Sequence, residues 1–448
     1  MRLVLTTVTA VLATIALPQL PAAAAVAPTV EESRLSGSVP QSILQRSGFA
    51  SHGPALATAL AQTTTLAQAT AAVTAAGRTL WQNAVDRAQG RNVTGDLPIN
   101  DDRPLYWARL AMSSALRQWQ PGYALTTANR DALQATLERS SRGQDTLNLP
   151  TVAGTRRVIV TGFDPFSLDG DPRNSNPSGA IALSLDGITV TTATGPARIE
   201  TATFPVRWDD FTAGMVEHTL TPYFQPGPQR VDAFMTISQG RAGRFDIEHY
   251  NGAYRGSAVD NNNRTSSTNL IPIPADVPTV TPQPTRITST LPFQRMIAAK
   301  TSPFPVYDNT TIVSGNGTGG NYLSNEIAYR ATLLRDATAL TVMGGHLHTP
   351  ILSYGGSTTD ITSPTFASDR ATIMSQSQAL LIAALGQPTA TPSATATPTA
   401  TASVTAKASP TASPTPSPSA STRVSTPSPT PTSPAKPPAR RCWWFFCF

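Results

Sequence analysis

The sequence predicts an α/β domain with a mixed, mostly parallel sheet covered by helices on both faces, preceded by a helical region and followed by a disordered tail. Three observations predict this. Short β-branched runs alternate with helix-compatible stretches between residues 156 and 343. Residues 28 to 150 are rich in Ala, Leu, Gln and Thr and carry apolar residues at roughly helical spacing. From Pro388 to Ala439, only Val404, Lys407, Arg423, Val424 and Lys436 are anything other than Pro, Thr, Ser or Ala. Strands alternating with helices bury a sheet on both faces, whereas a stretch without apolar side chains cannot offset its ordering entropy.

The two ends read as special segments. Met1-Arg2, the apolar run Leu3 to Leu17 and Ala22-Ala23-Ala24-Ala25 have the charged start, short apolar core and small-residue exit of a secretory signal peptide over residues 1–25. The run is short for a bilayer span, so cleavage near Ala25 would leave no membrane helix, and an uncleaved anchor is the alternative. The expected location is therefore secreted or cell-surface associated. Both cysteines, Cys442 and Cys447, lie in the last seven residues. The body then has no disulfide framework, thiol nucleophile or cysteine metal site.

The formal charge of +6 comes partly from Lys407, Arg423, Lys436, Arg440 and Arg441. No basic stripe with interleaved aromatics accompanies it, which argues against nucleic acid and for wall or surface affinity through the tail. Residues 388–441 read as an extended stalk open to O-glycosylation. The aromatic, Cys-flanked end at 442–448 reads either as a sticky tip that docks to a partner or lipid surface, or as a reading-frame artefact.

In the 26–150 region, helices are expected around Ala55 to Trp81 and Pro104 to Trp119, the second with Leu105, Ala108, Leu110, Ala111 and Leu116 in phase. This region packs beside the main domain or covers its cleft, and His52 in it reads as a loop or cap residue. The 151–387 domain has strands expected at Arg156 to Thr161, Ile199 to Phe204, Val231 to Ile237 and Ala339 to Met343. Helices are expected at Ser178 to Leu185, capped by Asn176-Pro177, and at Asp209 to Thr219, Phe293 to Lys300 and Tyr322 to Arg335. In such sheets the working residues sit on loops after strand ends.

Four loops carry the candidate chemistry. Thr161-Gly162-Phe163-Asp164-Pro165-Phe166, running on to Asn174-Ser175-Asn176-Pro177-Ser178, sets two phenylalanines three apart, either as a slot for a small flat ring or as core plugs. Gln239 to Glu248 combines glycines with Arg241 and Arg244, which could stabilise charge on a carbonyl oxygen. Glu248 in it could orient a histidine or serve as a salt-bridge partner. Ser314 to Ser324, rich in glycine, places Ser324 in the first turn of a helix, where an oxyanion is favoured and where a serine can also be a plain cap. His346 and His348 in the fourth loop share one face, but no carboxylate or thiol signature for a metal accompanies them. A general base at His348 is the better reading.

The order Thr-Gly-Phe-Asp-Pro-Phe, Asn-Pro-Ser, Ile247-Glu248, Ser289-Thr290-Leu291-Pro292, Gly320-Asn321-Tyr322-Leu323-Ser324-Asn325 and His348-Thr349-Pro350 resembles the pyroglutamyl peptidase I (pyrrolidone-carboxylate peptidase) family over about residues 156 to 387. The resemblance implies a three-layer α/β/α domain that removes an N-terminal pyroglutamyl residue from peptides, without metal or cofactor and often as a dimer or tetramer. It implies Ser324 as nucleophile, His348 as base and Glu248 as orienter. It also implies Phe163 and Phe166 around the lactam ring, Asn176 near the ligand, and an oxyanion-hole arginine at Arg241 or Arg244.

The departure is Ser324, since that family is thiol-dependent. A serine hydroxyl needs a positioned base to take its proton during attack. Three readings follow: a serine-type hydrolase working through a Ser-His-Glu relay, a protein that binds pyroglutamyl ligands with weak or no turnover, and a wall-associated interaction protein.

Overall fold

The computed structural model describes residues 26–312, 317–354 and 360–386. The expected signal peptide, the start of the glycine-rich loop at Ser314, and the expected stalk and aromatic tip lie outside the described residues.

The N-terminal region is helical: α1 (Val30–Ser33), α2 (Ser38–Ser47), α3 (His52–Ala61), α4 (Leu66–Ala88), α5 (Arg103–Gln118) and α6 (Thr127–Ser140). The single helix expected over Ala55 to Trp81 is two. The polar run Gln62 to Thr65 interrupts it, and Thr65 caps the second helix by accepting from Gln68 N. Ile43, Leu56, Leu60, Val73, Trp107 and Leu137 are among the residues of one buried core in this region.

The α/β part contains, in chain order, β1 (Arg156–Phe163), α7 (Pro177–Leu185), β2 (Thr189–Thr192), β3 (Gly195–Phe204), α8 (Trp208–Thr212), α9 (Met215–Phe224), β4 (Ala233–Gln239), β5 (Phe245–Glu248), β6 (Tyr250–Gly252) and β7 (Arg286–Thr288). It continues with α10 (Phe293–Ala298), β8 (Val306–Asn309), α11 (Leu323–Ala337), β9 (Met343–Thr349) and α12 (Pro364–Leu385). Among the described residues the main sheet has seven strands in the order β2-β3-β1-β4-β9-β5-β8. Its pairs are parallel except β2 with β3 and β5 with β9. Strands β6 and β7 form a separate antiparallel pair.

Residue parity along each strand decides which layer a side chain joins. Val158, Val160, Met235, Ile247 and Leu347 join the core under α7, α10 and α12. Ile159, Phe163 and Phe234 join the opposite core, under α8, α9 and α11. This is the three-layer arrangement, with the helical region packed on it in one compact unit.

Two expected elements differ. The helix expected over Asp209 to Thr219 breaks into α8 and α9 at Gly214, whose φ of 78° an L side chain rarely adopts. The strand expected at Ala339 to Met343 begins where that run ends and extends to Thr349, so His346 and His348 lie within β9 rather than on a loop after it. Glu248, expected on a loop, closes β5.

Candidate active site

Parity brings the chemistry to one face. On β9, Leu347 points into the α12 core, so His346 and His348 point to the α11 side. On β5, Phe245 and Ile247 do the same, so Asp246 and Glu248 join the histidines. Helix α11, whose second residue is Ser324, covers that face.

His348 Nδ1 lies 2.7 Å from Glu248 Oε1, and both side chains are buried. Glu248 Oε1 as acceptor makes Nδ1–H the donor and leaves Nε2 as the basic nitrogen. Among the described residues Nε2 has no hydrogen-bond partner. The second carboxylate oxygen, Oε2, accepts from Asn309 Nδ2 at 2.9 Å.

Two glycines shape the space around His348. A methyl group at Gly240 would lie 2.5 Å from His348 Cβ and 2.7 Å from Cγ. One at Gly319 would lie 3.3 Å from His348 Cε1 and 3.4 Å from Glu248 Cγ. The glycine-rich loop is thus laid against the pair, and glycine is used for close approach.

His346 is a neighbour of a different kind. Its Nδ1 is 2.8 Å from Thr236 Oγ1 and its Nε2 2.7 Å from Ser238 Oγ, both on β4, and its ring meets that of His348 edge-on at 4.6 Å. Thr236 Oγ1 also donates to Gly345 O, which leaves it to accept from Nδ1–H, so Ser238 donates to Nε2. Burial, with the nearby His348, pushes this imidazole well below its ordinary value. It therefore stays neutral and adds no like charge beside His348.

Ser324 is half-buried, and its hydroxyl has no hydrogen-bond partner among the described residues, His348 included. The helix start that carries it is pinned by its neighbours. Asn325 Oδ1 accepts from Gly252 N at 2.9 Å and its Nδ2 donates to Gly252 O at 2.8 Å, tying α11 to β6. Glu326, fully buried, takes both arms of Arg255 at 2.6 and 2.5 Å and Arg330 Nε at 2.8 Å.

The remaining expected residues are placed otherwise. Phe163 is 3% exposed and stacks on Phe211 at 6.0 Å, so it packs as core. Phe166 is half-buried at the edge of the same cluster. Asn176 caps α7, its Oδ1 accepting from Ser178 N and Oγ while its Nδ2 donates to Asp164 O at 2.9 Å. Arg241 and Arg244 both bind buried Asp246, at 3.1 and 2.7 Å, and Arg244 also lies over the Tyr307 ring. These two guanidiniums are held by a carboxylate that the sequence reading did not single out.

The helical region is tied to the first loop. Asp164 Oδ2 accepts from Arg109 Nη2 at 2.6 Å and from Arg142 Nη1 at 2.7 Å, both arginines belonging to the helical region and both buried. Asp102 Oδ2 accepts from Asn176 N at 2.9 Å, and Ser175 Oγ donates to Asp102 Oδ1. The helical region therefore packs directly on the loop bearing Phe163, Phe166 and Asn176. Among the described residues, no group of three or more His, Cys, Asp or Glu side chains is arranged to hold a metal ion.

Comparison with known proteins gives two family matches and one curated relative. Residues 15–138 match the PA0049 N-terminal domain, and residues 157–288 and 302–353 match the PA0049 C-terminal domain. The uncharacterized protein PA0049 of Pseudomonas aeruginosa is 35% identical over 460 aligned positions, covering 76% of this chain and 83% of the relative.

Among solved structures, a mutant pyrrolidone carboxyl peptidase from Pyrococcus furiosus is similar at a TM-score of 0.37 and 21% identity, covering 51% of this chain and 98% of its own. Pyroglutamyl peptidase I from Bacillus amyloliquefaciens has a TM-score of 0.35 and 20% identity, covering 52% and 96%. Pyrrolidone carboxyl peptidase from Thermococcus litoralis has 0.36 and 16%, covering 50% and 93%. At such scores and identities nothing about the site rests on the likeness.

Proposed function

The chain belongs to the PA0049 family, and from its site we propose that this member is an exported hydrolase that cleaves N-terminal pyroglutamyl groups from peptides through Ser324, His348 and Glu248. The observation that carries the reading is the 2.7 Å contact between His348 Nδ1 and Glu248 Oε1. It orients the imidazole and stabilises the imidazolium formed when Nε2 takes a proton. In the proposed reaction the Ser324 hydroxyl attacks the pyroglutamyl carbonyl as His348 accepts its proton. The imidazolium then protonates the leaving amine, and water activated by His348 releases pyroglutamate from the acyl-enzyme.

The N–H groups in the first turn of α11 supply the donors for the oxyanion. Arg241 and Arg244 are both engaged by Asp246, so the reading assigns the oxyanion to these N–H groups rather than to either guanidinium. The pyroglutamyl specificity comes from the ordered sequence motifs, and export from the N-terminal segment. The tail adds contact with the cell wall or surface.

A second reading, a pyroglutamyl-ligand-binding protein with weak or no turnover, draws on the absence of a hydrogen bond between Ser324 and His348 among the described residues. One experiment separates the two. Purified protein is assayed for fluorophore release from a pyroglutamyl amide, alongside Ser324→Ala and Ser324→Cys. The hydrolase reading expects release that Ser324→Ala abolishes. Equal rates from wild type and Ser324→Ala overturn it. A melting temperature raised by pyroglutamate without cleavage, with hydrolysis appearing only in Ser324→Cys, supports the binding reading.

A further inference from the structure

We propose that Asn309 is a positioning residue: it fixes the carboxylate of Glu248 against His348 and couples it to the glycine-rich loop that leads to Ser324. Asn309 is the last residue of β8 and the register partner of Glu248 on β5. Its side chain is buried, and one Nδ2 serves two acceptors, Glu248 Oε2 at 2.9 Å and Thr318 O at 2.9 Å. Its own carbonyl accepts from His249 N at 3.1 Å, which locks the end of β8 to the residue after Glu248.

The geometry gives each bond a task. A carboxylate with one oxygen on an imidazole and the other unheld can rotate about its last torsion and exchange oxygens. Asn309 removes that freedom by holding Oε2, which keeps the carboxylate plane aligned on the ring so that an acceptor stays directed at Nδ1 and favours the Nδ1–H tautomer. The second N–H reaches Thr318, itself anchored by Thr318 N donating to Tyr250 O at 2.8 Å and Tyr250 N donating to Thr318 Oγ1 at 3.2 Å. The next residue is Gly319, whose backbone lies against both His348 and Glu248. A single planar amide therefore sets the carboxylate and the loop to one geometry. An aspartate has the shape for this but lacks the two donors.

The catalytic consequence rests on the hydrolase reading, but the positioning itself is measurable without turnover. The chain has five histidines, so in full-length protein labelled with 15N-histidine each ring can be assigned by substitution and its tautomer read from long-range ring correlations. The expected result is His348 as the Nδ1–H tautomer at neutral pH in wild type, with the Nε2–H form rising severalfold in Asn309→Asp and Asn309→Ala while His52 and His218 keep their signals.

A His348 tautomer unchanged in the isosteric Asn309→Asp overturns the proposal, and that variant decides the matter if Asn309→Ala does not fold. Where hydrolysis is observed, kcat is expected to fall about 10- to 100-fold with KM little changed. Absence of hydrolysis in wild type would end the hydrolase reading and leave the tautomer result standing.

Discussion

Glu248 reaches His348 on the diagonal of an antiparallel pair: in the β5–β9 register the residue opposite Glu248 is His346, and the residue opposite His348 is Asp246. The diagonal leaves each acidic residue its own partners, Arg241 and Arg244 for Asp246 and the His348 imidazole for Glu248. Glu248→Gln keeps the shape but removes the charge that stabilises the imidazolium. Hydrolysis of a pyroglutamyl amide is expected to fall by about 10²- to 10⁴-fold, mainly in kcat, with a lowered melting temperature because the amide can accept only one of the two buried hydrogen bonds that Glu248 takes. Activity within a factor of about three of wild type would show that Glu248 has no such role.

Gly240 makes a sharper test of the same geometry, because it touches the base without carrying chemistry. Its missing side chain is what lets the β4–β5 turn close on His348, since a methyl there would stand 2.5 Å from Cβ. Gly240→Ala must displace the histidine or the turn. The expectation is a drop in kcat of roughly 10²-fold, the cost of misplacing a reacting group by about 1 Å. Gly319→Ala, at 3.3 Å from Cε1, asks for a smaller adjustment and should cost less. A Gly240→Ala protein as active as wild type would contradict the closeness of that contact.

Much of this arrangement is readable from residue order, and the rest is not for identifiable reasons. The β-branched run at Arg156 and the Asn176-Pro177 cap announce β1 and α7 because local preferences suffice there. Glu248 and His348 are far apart in sequence, and their meeting depends on β5 running antiparallel in an otherwise parallel neighbourhood, which no local signal encodes. Asn309 and Asp246 are invisible for the same reason, each being a single polar residue on a short strand. Phe163 reads equally as clamp or core until Phe211 is seen beside it. Arginine is the largest surprise. In sequence it suggests a charged surface, yet Arg103, Arg109, Arg142, Arg255, Arg330 and Arg370 are buried among carboxylates and carbonyls.

The Asp164 junction predicts that the helical region and the α/β part are inseparable in stability. One carboxylate oxygen receives a guanidinium N–H from each of Arg109 and Arg142. Asp164→Asn would leave two buried cations short of their counter-charge, a loss of about 3–5 kcal/mol when a buried pair is broken from one side. Urea unfolding of the variant should show it as a lower midpoint with an unchanged slope. A change below about 1 kcal/mol would mean the arginines are satisfied by Glu138 instead.

Asp102 gives the same junction a pH dependence. Burial pushes its carboxyl up to about 6 from 3.8, opposed by Arg370 and reinforced by Asp101. The folded state then holds a proton that the unfolded chain releases at lower pH. The stability this group contributes is fully present below the unfolded value and is lost as pH rises through about 6. Asp101 acts in another window: despite its burial, Arg103 and Arg370 hold its carboxyl below the usual range, so its contribution is lost only as pH falls below ordinary carboxylate values.

Asp102→Asn removes the first titration while keeping an acceptor for Asn176 N or Ser175 Oγ. Between about pH 4 and pH 6.5 the wild type should lose roughly 3 kcal/mol relative to the variant, measured as diverging unfolding free energies across a pH series. Parallel curves would show that Asp102 is already ionised throughout that range, with Arg370 and the two donors of the first loop outweighing its burial.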